Sequence, residues 1–247
     1  MINFKRKRRA YIMPILQMIR KILNILKKYA YPNYETPKSV YQIYVEDQNY
    51  QCFLHFKELL KSTMLLTTNK IRQHAIEEAI KNDISSEGYY LEFGVYSGTS
   101  IKFFSKYLKK NNIYGFDSFE GLKEHWFGTT VVKGTFDLKK KIPSLPKNVI
   151  PVAGWIQDTL QTFLNEKNPK INFVHIDVDT YETTKFILDL IKPQLVKGAI
   201  ILFDELYNFE GWDVGEYKAL TEVFAKNEYK FEAFAHDGRQ ALIKILN

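Results

Sequence analysis

A single cysteine, Cys52, stands among 247 residues, so no disulfide can form within the chain. That suits a reducing compartment, and the cytoplasm is the expected location. No stretch reaches the ~18 consecutive apolar residues of a membrane-spanning helix. The apolar run from Tyr11 to Ile19 is interrupted by Pro14 and Gln17 and has no small-residue cleavage site, so it does not read as a signal peptide. Acidic residues are missing altogether from residues 1–28, which carry nine Lys and Arg. Removing those nine from the total of 35 leaves 26 basic residues against 28 acidic ones in the remainder. The formal charge of +7 therefore belongs to the N-terminal arm, and the body lacks the basic footprint of a nucleic-acid binder. There is no internal repeat, and no low-complexity segment beyond the arm.

What is present divides into three parts. Residues 1–28 form a basic arm in which Ile15, Met18, Ile19, Ile22, Leu23, Ile25 and Leu26 recur at helical spacing. Such a helix suits peripheral attachment to an anionic membrane surface; docking on its own domain or on a partner in a homo-oligomer explains the same stripe. Residues 29–68 are Tyr-rich, contain Pro32 and Pro37, and read as a cap segment with one or two short helices. From residue 69 an amphipathic helix (69–83), with Ile71, Ala75, Ile76, Ala79 and Ile80 as its buried stripe, opens an α/β domain that runs to residue 247. Strands at 89–94, 112–117, 149–153, 171–177 and 199–204 alternate with helices at about 99–109, 156–165, 182–191 and 214–226. Strands 229–235 and 240–246 flank His236-Asp237-Gly238-Arg239, a tight-turn signal. The expected sheet has five parallel strands closed by an antiparallel C-terminal hairpin.

Residues 91–100, LEFGVYSGTS, are the most informative stretch. A short apolar strand runs into a glycine turn and then a helix start. Small residues let the backbone approach a ligand, and the free N–H groups of the helix start offer donors to an anion. A second strand ends on Asp117, 23 residues after Gly94. An acid at that spacing can hold the hydroxyls of a ribose, which points to a nucleoside cofactor. Ligands of open α/β sheets bind beyond the carboxyl ends of the strands. Those ends carry Glu92, Asp117, Gly154-Trp155, Asp177-Val178-Asp179 and Asp204-Glu205. Acids at four strand ends read as a functional set.

The blocks LEFGVYSG, GFDSFEGL, AGWIQDTL, HIDVDTYETT and IILFDE, in this order, resemble class I S-adenosylmethionine (SAM)-dependent methyltransferases. Within that superfamily they are most similar to the macrocin O-methyltransferase group, which methylates sugar hydroxyls. The resemblance covers residues 70–245 and implies a Rossmann-like sheet with SAM as cofactor. Gly94, Tyr96, Ser97, Gly98 and Thr99 would pass under the amino-acid end of SAM, and Glu92 would attract its positive charges directly or through water. Asp117 and Ser118 would meet the ribose, while Phe119, Gly154 and Trp155 would meet the adenine; core packing explains Trp155 as readily. Asp158 reads as a helix N-terminal charge.

The resemblance further implies a divalent metal, Mg²⁺, on Asp177, Asp204 and Glu205, gripping a vicinal diol and aligning its oxygen with the methyl carbon. Asp179 would be an outer partner of the metal or a SAM contact. Related enzymes often place Asp or Asn where Glu205 stands, and the longer side chain alters the reach to the metal. A base must take the hydroxyl proton, and His125 in the 118–147 insertion is favoured, with Asp177, Lys133 and Asp137 as rivals. Asp177-Val178-Asp179 also fits a metal-dependent glycosyltransferase, and the arm fits a non-catalytic, membrane-recruited binding module.

Overall fold

The computed structural model describes residues 37–247 together with 18–19 and 21–23. Two compact units are present, Met1–Ile43 and Tyr44–Asn247. In the first unit residues 18–19 and 21–23 are helical, with Met18, Ile19, Ile22 and Leu23 exposed; the rest of the arm and all of the 29–36 stretch lie outside the described residues.

The first full helix, α1, spans Val40–Ser62. It replaces the one or two short helices expected in the cap segment. Ser39 and Gln42 cap it reciprocally: the Ser39 N–H donates to Gln42 Oε1 at 2.8 Å and the Gln42 N–H to Ser39 Oγ at 3.2 Å. Its amphipathy is weak because only Cys52 and Phe56 are buried, so periodicity does not announce it. Phe56 carries the docking, with its ring edge-on to those of Tyr207, Trp212, Tyr217, Phe231 and Phe234.

Beyond α1 come β1 (Met64–Leu66), α2 (Thr68–Asn82), β2 (Tyr89–Phe93), α3 (Thr99–Ser105), β3 (Ile113–Asp117) and β4 (Val149–Ala153). They are followed by α4 (Ile156–Lys167), β5 (Ile171–Ile176), α5 (Tyr181–Ile191), β6 (Leu195–Phe203), α6 (Glu216–Val223), β7 (Tyr229–Ala235) and β8 (Ala241–Ile245). The eight strands form one sheet in the order β1-β7-β8-β6-β5-β2-β3-β4. Strands β6, β5, β2, β3 and β4 are parallel neighbours, and β8 lies antiparallel between β6 and β7, as the sequence led us to expect. Edge strand β1, parallel to β7, was not expected; three residues are too few to show a pattern.

Strands β5 and β2 sit mid-sheet, and every residue of β5 is buried, which explains its unbroken apolar run. One face is covered by α4, α5, α6 and α1 through Leu160, Ile187, Leu220 and Phe56. The other is covered by α2 and α3 through Ile71, Ile76, Ile101 and Phe104. Ile80, expected in the buried stripe of α2, is 37% exposed. Helix α3 stops short of residue 109 because the Asn148 side chain captures the carbonyls of Ser105 and Leu108 at 2.9 and 3.1 Å.

Phe56→Ala removes the ring that anchors α1. We expect a loss of about 3 kcal/mol in unfolding free energy, the usual cost of emptying such a site, read as a lowered midpoint in urea denaturation.

Candidate active site

The chain leaves β2, builds β3 and β4 on one side, then returns to build β5 and β6 on the other. The crevice between the ends of β2 and β5 is therefore the switch point of the sheet. Gly94 sits there with φ +87°, and a Cβ on it would lie 1.7 Å from the Asp177 carbonyl oxygen. No side chain can stand at that position. Tyr96, with φ +45°, and Gly98, with φ +80°, complete the turn into α3. Asp117, at the end of β3, shapes this turn. Its Oδ2 accepts the N–H groups of Val95 and Tyr96 at 2.8 and 2.7 Å, and its Oδ1 accepts that of Phe119 at 2.7 Å. A carboxylate has roughly four acceptor sites, so one stays open toward a ligand hydroxyl.

Beneath the turn lies a buried charge network. Glu92, fully enclosed, accepts the Ser100 hydroxyl at 2.9 Å and lies 3.2 Å from His175 Nδ1. His175 Nε2 lies 3.3 Å from Asp204 Oδ1, which also accepts Arg72 at 2.9 Å and the Gln240 side-chain amide. Burial alone would depress the His175 pKa, but its bonds to Asp204 and Glu92 outweigh this and push it up to about 10. That direction favours the imidazolium form, in which both ring nitrogens can donate to the flanking carboxylates. Burial would raise the Asp204 pKa, yet the His175 bond and the charges of His175 and Arg72 hold it below the usual carboxylate range. For Glu92 burial wins, and its pKa is raised despite His175.

Above the network opens a cavity of about 440 Å³. Gly94, Tyr96, Asp117, Ser118 and Trp155 line one part of it. Asp177, Asp179, Glu205, Trp126 and Arg239 also lie on its wall. Asp177, Asp179 and Glu205 place carboxylate oxygens within 4.8 Å of one another. Burial, then the charge of Asp204, pushes all three pKa values up, that of Asp179 to about 7. Glu216, at the start of α6, adds a further buried acid raised by the same causes. Its Oε2 accepts the Glu205 N–H at 3.0 Å, while Glu216 Oε1 and Glu205 Oε2 are buried with no hydrogen-bond partner among the described residues.

The structure thus brings Gly94, Tyr96, Asp117, Ser118, Trp155, Asp177, Asp179 and Glu205 to one cavity. Glu92 lies beneath it, and Ser97, Gly98 and Thr99 belong to the turn without lining it. Phe119 is buried in the core on the α2–α3 face, and the Gly154 N–H is taken by the Asp117 carbonyl at 2.9 Å. Asp204 is turned toward Arg72, His175 and Gln240 and groups with His175 and Asp177, whereas Glu205 groups with Asp177 and Asp179. His125 is exposed and off the cavity wall, its Nδ1 accepting the Lys133 N–H at 3.3 Å. Lys133 and Asp137 are off it as well. The aromatic loop after β6 is core: Tyr207, Phe209 and Trp212 are buried. Sequence reasoning missed Arg72, Glu216 and Gln240. A helix-surface Arg, a helix N-terminal Glu and a turn Gln carry no signal that sets them apart.

Residues 91–206 match the model of a family described as a methyltransferase domain. The fold is that of Rossmann-like methyltransferases, and the matched domain agrees with the resemblance in the sequence. Among solved structures the chain is similar to the calicheamicin methyltransferase CalS11, at 20% identity and a TM-score of 0.57, over 85% of this chain and 94% of that one. An apo structure of CalS11, described as TDP-rhamnose 3'-O-methyltransferase, gives 20% identity and 0.52 over 85% and 96%. The O-methyltransferase NovP gives 17% identity and 0.53 over 72% and 79%. No curated protein matches the chain in sequence.

His175→Leu strands Glu92 and Asp204 without their shared cation. Removing one partner of a buried ionic set typically costs about 3–5 kcal/mol, and we expect a stability loss of that order in chemical denaturation.

Proposed function

We propose that the enzyme transfers the methyl group of SAM to a hydroxyl of a sugar or glycoconjugate. The observation that carries this reading is the single cavity in which the glycine turn and Asp117 share a wall with three clustered carboxylates. The turn and Asp117 take the amino-acid end and the ribose, and Trp155 offers its ring to the adenine. The hydroxyl oxygen attacks the sulfonium methyl; the carbon–sulfur bond breaks as the carbon–oxygen bond forms, and the neutral thioether departs.

The released proton needs an acceptor on the cavity wall. Asp177, Asp179 and Glu205 are there and His125 is not, so we assign the proton to the carboxylate cluster. The same cluster fits a hard divalent cation such as Mg²⁺. It gathers oxygen donors, two buried carboxylate oxygens lack partners, and six acids (Glu92, Asp177, Asp179, Asp204, Glu205, Glu216) face three cations (Arg72, His175, Arg239). Asp177, Asp179 and Glu205 would hold it, and when bound it would lower the hydroxyl pKa. A sugar acceptor is supported by the similarity in fold to CalS11, described as TDP-rhamnose 3'-O-methyltransferase. A glycosyltransferase reading of Asp177-Val178-Asp179 leaves the glycine turn and Asp117 without a role. The arm adds peripheral attachment to an anionic membrane, supported by its nine cations and by the exposed Met18, Ile19, Ile22 and Leu23. Among the described residues no helix is long and apolar enough to cross a membrane.

Calorimetry should show SAM and S-adenosylhomocysteine binding to the wild type. Asp117→Ala should weaken both about tenfold or more, through the lost ribose bond and the loosened turn. Unchanged affinity would remove the ribose assignment. Asp179→Asn should lower turnover about a hundredfold at constant SAM affinity, whereas His125→Ala should leave turnover within about twofold. Chelation should abolish turnover, with Mg²⁺ restoring it and SAM binding persisting throughout. Full activity in excess EDTA would rule the cation out.

Deleting residues 1–28 should release the protein from anionic vesicles in sedimentation at low salt and leave SAM binding intact. Equal sedimentation of the truncated chain would assign the stripe to protein contacts instead.

A further inference from the structure

Arg239 has no part in the reaction as derived above, yet its side chain is held at the cavity. It belongs to the turn between β7 and β8, and that turn is fastened in place. The Asp237 carboxylate accepts the Thr68 N–H and hydroxyl at 2.6 and 3.0 Å. The His236 N–H donates to the Leu66 carbonyl at 2.8 Å, and the Asn208 side chain donates to the Gly238 carbonyl at 2.9 Å. The Arg239 carbonyl accepts the N–H groups of Leu206 and Tyr207 at 3.1 and 3.3 Å.

From this anchored backbone the guanidinium reaches over two buried rings, 5.1 Å from the centroid of Phe209 and 6.0 Å from that of Trp126. Those rings come from different loops and lie 5.8 Å apart. Cation–π attraction draws the guanidinium of this exposed residue toward the rings without using its N–H groups. Arg239 makes no salt bridge among the described residues, although three carboxylates share the cavity with it. The other cation on the wall, Lys123, stands 5.5 Å from the Trp155 centroid, a ring that follows β4. Arg239 instead stands beside Trp126, which lines the cavity from the insertion after β3.

The Arg239 charge acts on Asp179, yet its five donors make no hydrogen bond among the described residues, and such a guanidinium matches the planar oxygen pairs of a phosphate or carboxylate. We propose that Arg239 binds an anionic group on the acceptor, so that the natural acceptor carries a phosphate or carboxylate close to the hydroxyl that receives the methyl. This rests on the methyl-transfer reading and adds the charge class of its substrate. An Arg already drawn to two rings at the cavity is suited to this, because part of the ordering cost of binding is met before the acceptor arrives.

The test titrates the full-length chain, with and without S-adenosylhomocysteine, in EDTA so that no metal can bridge an anion to the carboxylates. The probes are inorganic pyrophosphate, glucuronate and, as a neutral control, methyl glucoside. Binding of at least one anion is expected, weakened about tenfold or more in Arg239→Gln, less in Arg239→Lys, with the S-adenosylhomocysteine affinity unchanged. Pyrophosphate alone would identify a phosphorylated acceptor, and glucuronate alone a carboxylated one. Absence of anion binding by the wild type would overturn the proposal. So would anion affinity that survives in Arg239→Gln, including the case in which that variant only melts at a lower temperature, since Arg239 would then be a packing residue. Failure of S-adenosylhomocysteine to bind the wild type would overturn the methyl-transfer reading instead, and the anion titrations of the unloaded chain would still be read separately.

Discussion

The site depends on one close contact, the approach of the Gly94 backbone to the carbonyl of Asp177. It joins the ends of the two central strands where the sheet changes direction. The Asp177 N–H donates to the Phe93 carbonyl at 2.9 Å and the Gly94 N–H to the Phe116 carbonyl at 2.9 Å. Three strand ends are thereby locked in one register. The cofactor turn leads away from one side of this junction and the acid cluster from the other. Any side chain at residue 94 would push the two apart, so the spacing between the glycine turn and the acid cluster is set by the lack of a single carbon atom.

Charge imbalance is the second organising constraint. Six acids converge on a small volume, and the fold answers with a buried imidazolium and Arg72 below them. The compensation falls mostly on Asp204. Asp177, Glu205 and Glu216 keep strongly raised pKa values, because burial and the fixed negative charge of Asp204 both oppose their ionisation. Such an arrangement costs stability, and proteins tolerate that cost at sites of function. The left-handed φ of Asp179, +62°, is a further local strain of the same kind.

Much of this was legible in the sequence because it rests on local patterns. The apolar runs of β2 and β5, the glycine turn, the acids at strand ends and the Asp237-Gly238 turn are each written in a few consecutive residues. Helix α1 was less legible, since a helix that buries two residues has little periodicity; its Ser39/Gln42 capping pair was the available clue. The network around Asp204 was not legible at all. Arg72 comes from 132 residues away and Gln240 from 36, and no local rule relates them. The same holds for His125, whose loop position suggested chemistry while the folded insertion turns it away from the cavity and brings Trp126 there.

The position of β8 has a consequence for how the molecule can be divided. Strand β7 has only β8 and β1 as neighbours, and β1 has only β7. Among the described residues, Ala241–Ile245 are therefore the one strand whose pairing joins this two-stranded ribbon to the other five strands. A chain cut before residue 241 would lose three strands from the sheet rather than one. The turn that carries Arg239 would lose its support with them. The part of the molecule nearest its C-terminus thus acts as a keystone, and the cavity is complete only when that last strand is in place.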